Sequence, residues 1–317
     1  MNRRHITQRQ LETFASVARL GSFSRAAETL HLTQPAVSIQ IKQLSETIGL
    51  PLFEQIGRDI RLTAAGEELQ ATVRALDDEW ARFDSAIGAL QGMHSGRLRV
   101  ALVTTAKYFL PRMLGAFCRR YPEIDVQLEI TNRAGVVARM RGNEDDLYIM
   151  SLPPADMDIV VRPFLDNPLV VIAPLDHPAA GRRCTAAELA GESFLLREPG
   201  SGSRAAVDRH LQQLGLTPTV RLTVASNEAI RDLVASGLGL AILSRHSLAA
   251  DPAEQGLAIL DVEHFPIRQP WSIVHLKGKV LSLPAQAFIR ELLEAAGESR
   301  APGLPETKKP SAKQGAD

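Results

Sequence analysis

A chain of 317 residues, 45% hydrophobic and 23% charged, has room for two or three globular domains and enough apolar residues to bury their cores. Its 36 Lys and Arg cancel its 36 Asp and Glu, so the chain as a whole has no bulk attraction for a polyanion and any nucleic-acid signal has to be local. No apolar run approaches the roughly 18 residues of a membrane span, and Cys118 and Cys184 stand in no metal-ligand or C-x-x-C spacing, which argues against a zinc ribbon or dithiol motif and for a reduced, cytoplasmic setting.

The charge is in fact local. Residues 1–66 carry eight Lys and Arg against five carboxylates, a net of +3, whereas residues 67–95 carry two against six, a net of −4. A basic head on an acidic neck directs one end of the chain at nucleic acid. Met1-Asn-Arg-Arg-His5 begins like the basic end of an export signal, but polar Ile6-Thr-Gln-Arg-Gln10 follows where an apolar core is required, so no export is expected.

Thr7 and Gln10 form a capping-box pattern that opens a helix carrying Leu11, Phe14, Val17 and Ala18 at helical spacing until Gly21. Ser22 caps a short second helix with Phe23, Ala26, Ala27 and Leu30 on one face. After the turn His31-Leu32, Thr33 caps a third helix with Pro35 in its first turn. Two short helices joined so tightly read as a helix-turn-helix over about 22–43. On the third helix Val37, Ile41, Leu44 and Ile48 make one apolar stripe. The opposite arc carries Gln34, Pro35, Ser38, Ile39 and Lys42: an amide for base edges, a hydroxyl, an apolar group for a thymine methyl and a cation for phosphate. A solvated face on an ordinary amphipathic helix gives the same pattern. Pro51 to Thr63 reads as two short strands with Gly57-Arg58 at the tip of a wing, where Arg58 can reach phosphate or the minor groove.

In the neck, Leu69, Val73, Leu76, Trp80, Phe83, Ile87 and Leu90 step by four and three over about three heptads. A second copy of the helix is the simplest partner for that seam, and a dimer would present two readers to two half-sites; a single amphipathic helix lying on its own domain gives the same pattern. Beyond the break at Gly92 to Gly96, strand-like runs (98–105, 126–131, 147–150, 169–174, 194–197, 220–226, 240–244, 271–276) alternate with helical ones (near 108–120, 133–141, 203–214, 227–236, 284–296). This predicts α/β architecture with mostly parallel sheets and a ligand at the strand C-terminal ends. The junctions there are Thr104-Thr105, Thr131-Asn132-Arg133, Gly200-Ser201-Gly202-Ser203-Arg204 and Ser226-Asn227. The Gly-Ser-Gly-Ser segment before a helix suits a small anion, with Arg204 and Arg133 adding charge; a flexible capped turn is the plainer explanation.

Phe14 to Val17, Gly21-Ser-Phe-Ser-Arg-Ala-Ala27, Leu32-Thr-Gln-Pro-Ala-Val-Ser38, Gln40-Ile-Lys-Gln-Leu44, Gly49-Leu-Pro-Leu-Phe-Glu54 and Leu62-Thr-Ala-Ala-Gly66 resemble, in order and spacing, the DNA-binding domain of LysR-type transcriptional regulators. Carried over by position, the family's DNA contacts fall on Gln34, Pro35, Ser38, Lys42 and Arg58. Ile39 stands where many members carry Arg, and Ser45 and Thr47 replace acidic residues often found near the helix end, so affinity leans more on phosphates and DNA shape. Residues 97–297 resemble the family's effector domain, which implies the two-subdomain fold of type 2 periplasmic solute-binding proteins and antiparallel linker helices. Thr131-Asn-Arg133, Asp166 to Pro174, Asp176-His-Pro178, Gly200 to Arg204, Ser226 to Ile230, Ser236 to Leu240 and Phe265-Pro266 with Trp271 are most similar to regulators of the Calvin-cycle (RuBisCO) operon, implying a phosphorylated or otherwise anionic effector and no cofactor or metal.

The expected organisation is therefore an all-α winged helix-turn-helix at 1–66, a linker helix at 67–95 and an α/β effector domain at 96–297. Its subdomains are 97–164 with 266–297, and 165–265, with chain crossings near Pro163-Phe164 and Phe265-Pro266. A Pro- and Lys-rich tail, 298–317, is expected to be disordered. Expected partners are double-stranded promoter DNA, a small-molecule effector, further copies in a homodimer or homotetramer, and RNA polymerase. A transport solute-binding protein is the main rival, opposed by the fused reader. Regulators of sulfur, amino-acid or aromatic metabolism are the rivals within the class. An enzyme has no support: Gly191-Glu-Ser193 lacks the second glycine of a nucleophile elbow, no metalloprotease, Walker or dinucleotide motif is present, and the eight histidines are scattered.

Overall fold

The computed structural model describes residues 6–56, 59–90, 95–189 and 191–298. The head follows from three capped starts. Thr7 accepts from the Gln10 amide while the Gln10 side chain accepts from the Thr7 amide, opening α1 (Gln8–Leu20), which ends on left-handed Gly21. Ser22 caps α2 (Phe23–Thr29), and Thr33 caps α3 (Gln34–Ile48), which ends on left-handed Gly49. Glycine adopts that backbone without the Cβ clash other residues meet, so both helices stop where it occurs. Strands β1 (Phe53–Ile56) and β2 (Asp59–Leu62) pair antiparallel as the wing; its tip, with Arg58, lies outside the described residues. Phe14, Val17, Ala26, Val37, Ile41, Leu44 and Leu52 are buried together, each worth about 1–3 kcal/mol on burial.

Helix α4 (Ala64–Leu90) rises from the wing. The heptad seam expected along it is divided. Val73 is buried in the head's core and Leu69 packs against it, because the first turns of α4 close the head. Leu76, Trp80, Phe83 and Ile87 remain exposed; the side chain of Leu90 lies outside the described residues.

The chain then runs β3 (Gly96–Val103), α5 (Leu110–Arg120), β4 (Ile124–Thr131), α6 (Arg133–Arg141), β5 (Leu147–Met150), β6 (Ile159–Leu165), β7 (Pro168–Pro174), β8 (Arg183–Cys184) and β9 (Ser193–Arg197). It continues with α7 (Gly202–Gln213), β10 (Thr219–Val224), α8 (Asn227–Ala235), β11 (Leu240–Ser244), β12 (Leu257–Val262), β13 (Ile267–Arg268), β14 (Trp271–Leu276) and α9 (Leu283–Glu298). Two sheets result, β4-β3-β5-β14-β6 in lobe I and β10-β9-β11-β7-β12-β8, with β13 on β7, in lobe II. Both are mixed rather than mostly parallel, since the strands on either side of the two crossings run against their neighbours. The crossings fall a few residues later than Pro163-Phe164 and Phe265-Pro266: Leu165 still pairs with Trp271 in lobe I, and Ile267 still pairs with Leu169 in lobe II. Among the described residues no helix is long and apolar enough to cross a membrane.

Gly66 explains one motif position. A Cβ there would lie 2.2 Å from the backbone oxygen of Leu52, where α4 leaves the wing. Since backbone cannot rotate away, Gly66→Ala is expected to destabilise the head by about 1–3 kcal/mol. Urea unfolding should show this loss, together with weakened promoter binding.

Candidate DNA interface and effector cleft

The polar arc of α3 faces out. Gln34 Nε2 donates to Ser38 Oγ at 2.9 Å, which leaves the Gln34 oxygen and the Ser38 hydroxyl proton available to a groove. The Lys42 side chain is 78% exposed and only loosely tied to Glu46 at 3.9 Å, so its ammonium is free to reach phosphate. Pro35 is exposed, and Ile39 is 54% exposed on the same side, an apolar side chain unsheltered by its own domain. Buried Thr13 donates to Gln40 Oε1 at 2.7 Å and so holds α3 on α1.

Between the lobes, the C-terminal ends of β3, β4 and β9 and the start of α8 meet at one crevice. At its centre is Arg197, the last residue of β9, with its side chain 2% exposed. It donates to Asn227 Oδ1 at 2.6 Å, to Thr104 Oγ1 at 3.4 Å and to Glu198 at 2.8 Å. Nearby, the Ala134 amide donates to the Gly200 carbonyl across the lobes at 3.2 Å, and a Cβ on Gly202 would sit 3.6 Å from Arg133 Cδ and 3.7 Å from Ser151. The Gly200–Ser203 and Asn132–Arg133 segments therefore meet, as the start of α6 faces the start of α7. The partial positive charge of those two helix starts and the buried guanidinium suit the crevice to a small anion.

The candidate residues do not all point there. Arg204 is not a free cation: its Nε donates to both oxygens of Asp208 at 2.8 Å and its Nη1 to the Arg197 carbonyl. One helical turn separates it from Asp208, so the pair forms along α7. Arg133 donates through Nε to the Leu152 carbonyl at 2.7 Å. Asn132 caps α6 through the Gly135 amide, Thr131 lies beneath α6 where Gly135 has no room for a Cβ, and Thr105 is buried. Ser201 is buried and shares a 2.9 Å hydrogen bond with Ser203.

Arg197, Lys107, Tyr108 and Glu228 were not singled out from the sequence. An arginine closing the apolar strand Phe194-Leu-Leu-Arg197 is the signal for the first, and Glu228 falls within the Ser226 to Ile230 stretch that carries the resemblance. Glu228 of lobe II accepts from Tyr108 at 2.7 Å and lies 2.9 Å from Lys107, both of lobe I. Burial alone would raise its pKa, but hydrogen bonds from Lys107, Tyr108 and Ser226 outweigh it and bring Glu228 down to about 2. Burial and the Glu228 contact push Tyr108 up to about 12. A cavity of about 1140 Å³ lies away from this crevice, between α1, α4 and the β3–β4 side of lobe I.

A helix-turn-helix head, a neck with an exposed apolar seam and two lobes around an anion-ready crevice define a DNA-binding regulator with a sensor domain. Residues 8–67 match the bacterial regulatory helix-turn-helix protein, lysR family, and residues 91–297 match the LysR substrate binding domain. The chain belongs to the LysR family of transcriptional regulators. It is 46% identical to the RuBisCO operon transcriptional regulator of Acidithiobacillus ferrooxidans, over 96% of this chain and 99% of that one. It is 47% identical to the regulatory domain of CcmR from Synechocystis PCC6803, solved in complex with 2-PG, with a TM-score of 0.61 over 63% of this chain and 97% of that one. A full-length OxyR variant from Pseudomonas aeruginosa, 25% identical, superposes with a TM-score of 0.68 over 92% of this chain and 95% of that one.

The Glu228 bridge carries a pH signature. A carboxylate held below its ordinary value of 4.5 contributes stability that is complete above 4.5 and fades as pH falls towards about 2. Glu228→Gln should lower the urea midpoint at pH 7, and the gap from wild type should close on acidification across that window. A gap independent of pH would show that the bridge is not ionic.

Proposed function

We propose that the protein controls a carbon-fixation (RuBisCO) operon in response to a small phosphorylated or otherwise anionic metabolite bound between its lobes. The observation that carries this reading is the crevice itself, where buried Arg197, Thr104, Asn227 and the starts of α6 and α7 converge. The identities with the RuBisCO operon regulator and with the CcmR domain bound to 2-PG support the operon and the ligand class over sulfur, amino-acid or aromatic metabolism. Arg197, Thr104, Asn227, Gly200–Ser203 and Arg133 are the proposed effector residues, and Arg204 serves by bracing the Arg197 carbonyl. Gln34, Pro35, Ser38, Ile39 and Lys42, with Arg58 at the wing tip, are the proposed DNA contacts.

The working unit is a cytoplasmic homodimer, paired into a tetramer, whose necks associate through Leu76, Trp80, Phe83 and Ile87 and whose promoter-bound form acts on RNA polymerase. A ligand shifts it only by binding one lobe arrangement more tightly than the other. That shift moves the two heads and changes the bend of the promoter.

A fragment of a RuBisCO promoter titrated with the protein, with and without 2-PG, tests the whole reading. Binding that is sequence-specific and bending that responds to 2-PG are expected; indifference to both would end it. Lys42→Ala should weaken binding to every sequence and reduce the salt slope by about one. Trp80→Asp together with Phe83→Asp should give monomers in sedimentation with the lobes still folded; a surviving dimer would place the interface elsewhere.

A further inference from the structure

Arg197 is held along two edges of its guanidinium by partners of different kinds. On one, Nη1 donates to Asn227 Oδ1 at 2.6 Å, and Asn227 is itself buried. On the other, Nε and Nη2 donate to the two oxygens of Glu198 at 2.8 and 3.2 Å, and Nη2 also reaches Thr104 Oγ1 at 3.4 Å. This second edge is the paired arrangement in which an arginine takes a carboxylate or a phosphoryl group. Among the described residues the Glu198 carboxylate bonds nothing but this guanidinium. Its side chain is 20% exposed, against 2% for Arg197. One partner of Arg197 is therefore neutral and shut in, and the other is charged and borders solvent.

The backbone lets the second leave without the first. Glu198-Pro199-Gly200-Ser201 closes as a turn in which the Ser201 amide donates to the Glu198 carbonyl at 3.2 Å, with Gly200 at φ +92°. Proline in second place and glycine of positive φ in third suit a type II turn, which fixes the main chain of Glu198 and leaves its side chain free to rotate. Arg197 is fixed as well. It ends β9 in register with Val224 of β10, and Arg204 Nη1 donates to its carbonyl at 2.9 Å. Glu198 can thus turn to water through its own side-chain torsions while the guanidinium stays aimed at the crevice. Stripping a buried guanidinium of that carboxylate with nothing in exchange is strongly unfavourable, whereas exchange for another anion keeps the charges balanced.

We propose that Glu198 is a built-in competitor of the effector: an anionic group of the metabolite replaces its carboxylate on the Nε–Nη2 edge of Arg197, and the strength of the Arg197–Glu198 pair sets the concentration at which the metabolite is sensed. This rests on the effector reading above and deepens it, since one acidic residue of the site opposes the ligand instead of holding it. Dislodging Glu198 costs the same whichever anion takes its place. The residue therefore raises the dissociation constant of every such anion by one common factor.

The test titrates the full-length protein with 2-PG and with inorganic phosphate, followed by calorimetry and by the rise in unfolding temperature. Glu198→Gln keeps the shape of the side chain and removes its charge. It should tighten both anions by the same factor, about tenfold for the loss of one charge-assisted pair, while lowering the unfolding temperature of the ligand-free protein. A merely structural role would lower stability and weaken both anions together. Glu198→Ala should move every reading in the same direction as Glu198→Gln. Unchanged or weaker 2-PG binding in both variants overturns the proposal. So does a gain confined to 2-PG, which would make Glu198 a contact of that ligand alone. Should 2-PG bind neither wild type nor Glu198→Gln, the effector reading falls and inorganic phosphate alone decides the competition. A larger stabilisation of Glu198→Gln than of wild type by phosphate upholds it, and an equal response, none included, overturns it.

Discussion

One helix has to serve three bodies, and the way α4 divides its surface is the constraint on which the rest depends. Its first turns are apolar and complete the head, so Leu69 and Val73 are spent within the chain. Its middle is charged and grips lobe I through Arg74 and Asp78. Its remaining apolar side, from Leu76 to Ile87, stays uncovered. These roles do not compete: Arg74 and Asp78 lie on the opposite side of the helix from the apolar stripe, and the head contacts and the uncovered seam divide that one stripe along its length. Ions removed from water are costly unless each finds a partner, and the pairing of Arg74, Arg99, Arg139 and Lys279 with Asp78, Glu144, Asp145 and Asp146 offsets part of that cost.

The crevice is ruled by a different economy. Each lobe brings strand ends and a helix start to the same place, an outcome of α/β winding rather than of any single residue. What this chain adds is a buried arginine whose neighbours already neutralise it. Glu198 pairs with Arg197, and Glu228 occupies Lys107 and Tyr108 across the lobes. Arg197 and Lys107 are therefore engaged by the protein's own carboxylates, whereas Arg133 bonds a carbonyl, and an incoming anion meets helix starts, hydroxyls and Arg133 within a polarised setting. A metabolite need supply only the difference between two lobe arrangements to shift their balance.

Much of the head was readable because its determinants are local. Thr7, Ser22 and Thr33 cap their own helices, and Gly21 and Gly49 end theirs by backbone chemistry acting within a few residues. The outward arc of α3 followed from periodicity alone. The sensor was legible to the level of its alternation and its junctions, and less so in its details. The sequence reading lacks β6, the short β8 and β13, and β12 with its apolar start Leu257-Ala-Ile-Leu260, and it sets the crossings a few residues early. From sequence Arg204 adds charge for a small anion, and only the packed helix shows Asp208 holding it.

The sequence by itself determined the three head helices, the wing, the α/β character of the sensor and the segments that border the crevice, since caps, glycines and hydrophobic periods act between near neighbours. Tertiary structure alone decided which half of the heptad stripe stays exposed, that Arg197 rather than Arg204 is the buried charge at the lobe interface, and that Asp78 meets Lys279 some two hundred residues away. Those outcomes depend on which charges arrive at the same place after folding. Pairing over such separations is set by packing and desolvation, and no local pattern records it.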